Sequence, residues 1–157
     1  MPQVRFLVAV DEEYGIAKNG KIPWDTPGDV EYFRAMTKFG TIVSGTKTLS
    51  SLSEKYRQDK KIFAITHQNL PDQGLTIVHD LDQFFKELVE DVWIVGGGQI
   101  FAQALPYATH MFVTRISGSY DCDVFFPKFE DNFTLLTSST PQHENGIDYV
   151  YEIWSRA

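Results

Sequence analysis

The chain has 157 residues, 43% hydrophobic and 22% charged, enough apolar material for one substantial core and too much for disorder. Its formal net charge of −7, from 14 Lys+Arg against 21 Asp+Glu, repels a phosphate backbone and argues against general nucleic-acid binding. The single cysteine, Cys122, can close no internal disulfide and build no thiolate zinc site, and His67, His79, His110 and His143 lack metal-ligand spacing. No apolar run approaches the roughly 20 residues of a membrane helix. The N-terminal MPQVRFLVAVDEEYG runs from apolar straight into acidic residues, without a signal-peptide pattern. Asn132-Phe133-Thr134 matches a glycosylation sequon, which carries no meaning without export. The expectation is a soluble, cytoplasmic protein with one domain over residues 1–157, bound to no nucleic acid and no membrane.

Val4–Val10 (VRFLVAV) is continuously apolar after Arg5 and reads as a strand buried on both faces. Residues 11–23 are polar and carry Gly15 and Gly20, a loop. Thr26-Pro27 opens a helix that runs to about Thr37, with Pro at its first position. Strands follow at 41–44, 61–65 and 75–78, with a short helix over 46–52 and helical spacing over 81–88. Residues 92–95 (VWIV) form another buried strand, ending in Gly96-Gly97-Gly98; a helix over 99–105 and a strand over 110–116 come next. Residues 132–137 and 148–154 alternate like an antiparallel pair. The pattern predicts an α/β fold: a mixed, mainly parallel central sheet of about eight strands, helices on both faces and a C-terminal antiparallel hairpin. In such sheets ligands bind beyond the carboxyl ends of the strands. Three glycine-bearing loops leave such ends: 11–23, the turn at Gly45, and 96–98.

Gly96-Gly97-Gly98 would let main-chain N–H groups approach a phosphate, but Phe101 stands where the dinucleotide fingerprint needs its third glycine. The bland reading is a tight strand-to-helix turn. Gly45-Thr46-Lys47-Thr48 departs from the Walker pattern, which wants glycine immediately before the lysine. A helix start with two threonines and a lysine could still hold a diphosphate. Ser44-Gly45-Thr46-Lys47 spells S-x-x-K by chance, since S-D-N and K-T-G are absent. Asp29, in Thr26-Pro27-Gly28-Asp29, is either a helix cap pointing outward or a carboxylate in an apolar pocket beside Phe33, equipped there for proton chemistry. Spacing alone favours the cap. Lys55, Arg57, Lys60 and Lys61 make a local anion-attracting patch whose bland reading is a solvated loop.

These residues carry a family resemblance. Val8-Ala9-Val10, Gly15-Ile16 and Lys18-Asn19-Gly20-Lys21-Ile22-Pro23-Trp24 resemble the first strand and mobile active-site loop of dihydrofolate reductases. The match continues through Pro27-Gly28-Asp29, Phe33, Ile42 to Thr48, Ile94 to Gly98, Thr114, Asp123 and Phe126-Pro127, almost the whole chain in order. It implies NADPH-dependent reduction of dihydrofolate by a monomer. Asp29 is then the acid of the pterin pocket rather than a cap, promoting protonation at N5, with Thr114 supporting it and Trp24 holding a water nearby. Leu7 and Val95 lend carbonyls to the ring edge, Ala9 and Phe33 pack on the pterin, and Leu52 lines the pocket farther out. Val8, Ile22 and Phe101 complete the substrate side. Ala9, Ile16, Gly20 and Gly96–Gly98 border the nicotinamide and its ribose. Gly45, Thr46, Lys47 and Thr48, with Gly97, Gly98, Gln99 and Ile100, hold the cofactor phosphates, and Thr66 joins Thr46 and Lys47 at the 2′-phosphate. The resemblance also implies a cis Gly96–Gly97 peptide and no metal.

Several positions depart from the family pattern, among them the 2′-phosphate position, where Arg or Lys is common in the family and Thr46 and Thr66 stand here, with Lys47 and His67 adjacent. Asp59 stands where the family's arginine pairs with the folate α-carboxylate, leaving Arg57, Lys60 or Lys55 to substitute. Phe101 replaces a tyrosine, and Leu49 an aromatic. Two other readings compete. One is a fold relative that reduces another heterocycle, such as a ribosylaminopyrimidine of riboflavin synthesis, which Asp29 after Ile-Pro-Trp opposes and Asp59 favours. The other is a non-catalytic nucleotide-binding relative, opposed by the retained Trp24, Asp29 and Thr114.

Overall fold

The computed structural model describes residues 1–58, 60–68 and 74–157, and there strand and helix alternate in the predicted order. The strands are β1 Val4–Val10, β2 Gly15–Ala17, β3 Thr41–Gly45, β4 Ile62–Ile65, β5 Leu75–Val78, β6 Val92–Gly96, β7 His110–Ile116, β8 Val124–Phe125, β9 Phe133–Ser138, β10 Gln142–Glu144 and β11 Ile147–Arg156. The helices are α1 Pro27–Thr37, α2 Thr46–Ser51, α3 Glu54–Arg57, α4 Leu81–Lys86 and α5 Gly98–Ala104. The main sheet runs β10-β11-β7-β1-β6-β3-β4-β5, with β9 also paired to β11. From β7 to β5 all neighbours are parallel; β11 is antiparallel to β7, β9 and β10. The mixed, mainly parallel sheet and its C-terminal hairpin are therefore as predicted.

The alternation of side chains explains why the central strands are apolar throughout. On one face Phe6, Val8, Val43, Val92 and Ile94 join Phe101, Ala104 and Phe85 in a core under α4 and α5. On the other, Leu7, Ile42, Ile62, Trp93 and Val95 pack with Tyr32, Phe33 and Met36 of α1 and with Tyr56 of α3. Each central strand feeds both layers, so neither face can carry a polar stripe.

Elements too short to show a period are absent from the sequence reading. Residues 11–23, predicted as loop, contain β2, which pairs with β8. The segment of Lys55, Arg57, Lys60 and Lys61, whose bland reading is a solvated loop, opens with a turn of helix at Glu54–Arg57, because Ser53 accepts the N–H of Tyr56 at 3.1 Å and Tyr56 is buried. Lys60 lies 4.1 Å from that ring and Lys61 pairs with Glu90 at 2.6 Å. The strand β10 closes a two-residue hairpin on Asn145-Gly146, both at positive φ (52° and 75°). The predicted role of Asp59 falls outside the described residues.

Candidate active site

The sheet opens at its carboxyl end. The β1–β6 ladder runs only from Val4 and Val92 to Phe6 and Ile94. β1 stays paired with β7 to Val10, and β6 with β3 to Gly96. Leu7 and Val95 therefore stand at the edge of a split between two strands that are each held firmly on their other side. This is where the connections diverge, since β1 leads to α1 on one face and β6 to α5 on the other.

Asp29 comes from the first turn of α1 and reaches β7 next to β1, since its partner Thr114 stands opposite Ala9. Thr114 Oγ1, on β7 and 2% exposed, donates to Asp29 Oδ1 at 2.8 Å. The hydrogen bond on the Asp29 carboxylate comes from Thr114 on β7, not from an N–H of its own helix, which is the pocket reading rather than the cap. Burial pushes the Asp29 pKa up to about 6; the Thr114 bond pulls the other way, and the charge of Glu144 adds to the push. A cleft of about 300 Å³ opens beside it, lined by Ile22, Trp24, Asp25, Thr26, Pro27, Asp29, Val30 and Glu31. Trp24 is 6% exposed and meets Tyr120 edge-on at 5.4 Å, whereas Ile22 is 61% exposed at the cleft mouth.

Of the remaining substrate-side residues, Leu7, Val95, Phe33 and Leu52 share one apolar cluster, and Ala9 sits with Trp24, Tyr149 and Tyr151 in the adjoining one. Val8 faces the other side of the sheet. Phe101 is 2% exposed, packed at 5.3 Å from Phe6 and 5.0 Å from Phe126, and forms a floor beneath Gly96.

The glycine turns meet where β3 and β6 end. A β-carbon on Gly45 would sit 3.7 Å from Gly96 O and Gly97 N, and one on Gly97 would sit 3.4 Å from Thr48 Oγ1. The Gly96–Gly97 peptide is cis, and Gly96 has φ +118°, a conformation that favours glycine. Thr46, Lys47 and Thr48 open α2, while Gln99 and Ile100 lie in the first turn of α5. Neither helix start carries a side-chain cap, so main-chain N–H groups remain at this crossing. Thr66 follows β4, with its N–H on Val78 O at 3.1 Å and its carbonyl 2.6 Å from His79 Nδ1. Ile16 packs against the α5-side core, and Gly20 is exposed with φ +78°.

Three groups of residues escaped the sequence reading. Asp11, 3% exposed at the end of β1, accepts from Glu13 N (2.9 Å), Gly15 N (2.8 Å), Tyr120 N (3.1 Å) and Cys122 Sγ (3.6 Å). It folds the glycine loop back across the strand ends. An acid ending an apolar strand and followed by a glycine was the available signal. The Cys122 thiol, pushed up to about 11 chiefly by burial and then by Asp11, stays protonated. Arg115 bridges Glu130 (3.2 Å) and Glu152 (2.8 Å), and Tyr14 donates to Glu130. Last, Glu144 Oε1 accepts from Gly28 N at 2.8 Å and from Tyr149 O–H at 2.7 Å. Only the Asn-Gly turn beside Glu144 hints at its placement.

Comparison with known proteins bears on the same site. A family model described as dihydrofolate reductase matches residues 3–156. The chain is 33% identical to a dihydrofolate reductase of Sus scrofa, over 96% of each chain. It is 31% identical to that of Staphylococcus haemolyticus, over 98% of this chain and 96% of the relative. It is 28% identical to that of Bacillus subtilis, over 98% and 94%. With a half-buried acid held by Thr114 on the central sheet and a match that spans nearly every residue, the chain belongs to the dihydrofolate reductase family.

Proposed function

We propose that this protein reduces dihydrofolate to tetrahydrofolate with NADPH, protonation at N5 being promoted by Asp29. The observation that carries this reading is the desolvated Asp29 carboxyl, hydrogen-bonded by Thr114 and open to the cleft. A carboxyl with a pKa of about 6 holds a useful protonated fraction near neutral pH and can both orient a pterin and favour its protonation. The main-chain carbonyls of Leu7 and Val95 orient the ring edge at the split. Ala9 and Phe33 hold the ring flat, and Trp24 closes the cleft against bulk water.

The residues present fit a dinucleotide. Side chains at Gly45 and Gly97 would fill the crossing of the two glycine turns, and their absence leaves a main-chain cradle beside the Thr48 hydroxyl. Thr46, Lys47, Thr48, Gly97, Gly98, Gln99 and Ile100 would hold the phosphates there, with Lys47 and Thr66 toward the 2′-phosphate. Ile16 and Gly20 would close over the nicotinamide. NADPH supplies the hydride when bound. The chain's part is to hold two flat rings at contact distance in a dry pocket. The Asp11 anchor keeps the covering loop at its post, and Asn19 N on Asp123 (2.9 Å) pins the far end.

For the folate tail, the cation best placed is Arg57. Its Nε is buried with no hydrogen-bond partner among the described residues, at the end of α3. A planar guanidinium suits a carboxylate. The reading carries with it a monomer acting in the cytoplasm. The test is loss of reduced-nicotinamide absorbance when dihydrofolate is added. A chain that oxidises NADPH only with a ribosylaminopyrimidine, or with neither substrate, would refute it.

A further inference from the structure

The helix that carries Asp29 starts without a cap of its own. Thr26 makes no side-chain bond to the first turn. The acceptor comes instead from residue 144, at the β10–β11 hairpin, whose carboxylate takes the Gly28 N–H at 2.8 Å and the Tyr149 hydroxyl at 2.7 Å. The site is built for it: a β-carbon on Gly28 would lie 2.7 Å from Tyr149 Oη and 3.1 Å from Glu144 Oε1, so a side chain there would displace the pair. Tyr151 O–H reaches Gly28 O at 3.5 Å, and its ring stacks on Tyr32 at 4.0 Å. Three side chains of the C-terminal hairpin thus grip the residue preceding Asp29 in sequence.

We propose that Glu144 is a positioning residue for Asp29, fixing the first turn of α1 through Gly28 and placing a second negative charge near the half-buried acid. The proposal rests on Asp29 being the proton-handling group of the reaction. The groups facing Asp29 are the Thr114 hydroxyl from β7, the Glu144 carboxylate from β10, Tyr151 from β11 and Tyr32 from α1, with Tyr149 bonded to Glu144 behind them. Asp25 and Glu31 lie along the cleft wall. Thr114 favours the ionised form, and Glu144 is the charge that opposes it. A negative neighbour disfavours ionisation, so removing it shifts the titration of Asp29 to lower pH.

Two substitutions separate the roles. Glu144→Gln keeps an amide oxygen for Gly28 and Tyr149 and removes the charge. Glu144→Asp keeps the charge and shortens the reach. Asp29 is titrated by carboxyl carbon NMR in the ligand-free protein, and turnover is measured against pH. The expected result for Glu144→Gln is a titration displaced to lower pH, with roughly threefold less protonated Asp29 at neutral pH. The pH–rate profile should move in the same direction, with KM for dihydrofolate nearly unchanged. For Glu144→Asp the expected result is a raised KM and a lowered kcat, from a loosened first turn. An unchanged Asp29 titration in Glu144→Gln, or identical behaviour of both variants, would overturn the proposal. A displaced titration with an unmoved pH–rate profile would uphold the Glu144 coupling and overturn Asp29 as the proton-handling group.

Discussion

Asp29→Asn should make this protein more stable and less active, and the two effects should part along the pH axis. In the folded chain the Asp29 carboxyl, desolvated and near the Glu144 charge, is pushed up to about 6 from an ordinary 3.8. The native state therefore holds this proton more tightly than the unfolded chain does. The associated stability is fully present below the lower value and is lost as pH rises through the upper one. Each pH unit between them is worth about 1.4 kcal/mol, so an ionised Asp29 costs the native state about 3 kcal/mol at most. Asparagine keeps an acceptor for Thr114 and carries no charge. The variant should match the wild type in strong acid and exceed it above neutrality by up to about 3 kcal/mol, or roughly 6–12 °C in Tm for a chain of this size. Turnover at neutral pH should fall by about 10²-fold or more, the scale of a lost proton-transfer group, and recover in part in acid. Urea unfolding across pH, paired with turnover, measures both. Equal stability at every pH would show that Asp29 is not desolvated, and unchanged turnover would remove it from the mechanism.

Other perturbations probe the remaining parts of the site. Thr114→Val removes a hydrogen bond that favours ionised Asp29, so the pH–rate profile should move to higher pH, opposite to Glu144→Gln. Lys47→Ala should weaken NADPH more than NADH, with the difference shrinking as salt rises; equal loss for both places Lys47 on the diphosphate or outside the site. Arg57→Ala should raise KM for dihydrofolate by roughly tenfold, the scale of a charge-assisted bond, and leave a dihydropterin without the glutamate unaffected. Asp59→Arg should tighten dihydrofolate alone. If it changes nothing while Arg57→Ala has its effect, Asp59 does not stand at the family's arginine position.

The sequence announced most of the sheet because its central strands serve two cores. Runs such as Val4–Val10 leave no other reading, and glycine marked the turns where β3 and β6 end. Asp29 was ambiguous on spacing alone, because a capping acid and a pocket acid both sit in the first turn of a helix. The family resemblance decided for the pocket, and the partner that makes it so lies on β7, 85 residues away, beyond the reach of local spacing. Asp11 and Glu144 left only faint signals for the same reason. Each acts on backbone N–H groups brought together by the fold, including one 116 residues away for Glu144, and a carboxylate's acceptor role leaves no periodic trace. The short strands β2, β8 and β10 owe their form to pairing across loops rather than to their own composition.

The most direct measurement mixes the purified chain, NADPH and dihydrofolate at neutral pH and follows reduced-nicotinamide absorbance beside the Asp29→Asn variant. The expected result is stoichiometric NADPH oxidation with tetrahydrofolate formed, fast for the wild type and slowed by about 10²-fold or more in the variant. No oxidation, or equal rates for both proteins, would contradict it.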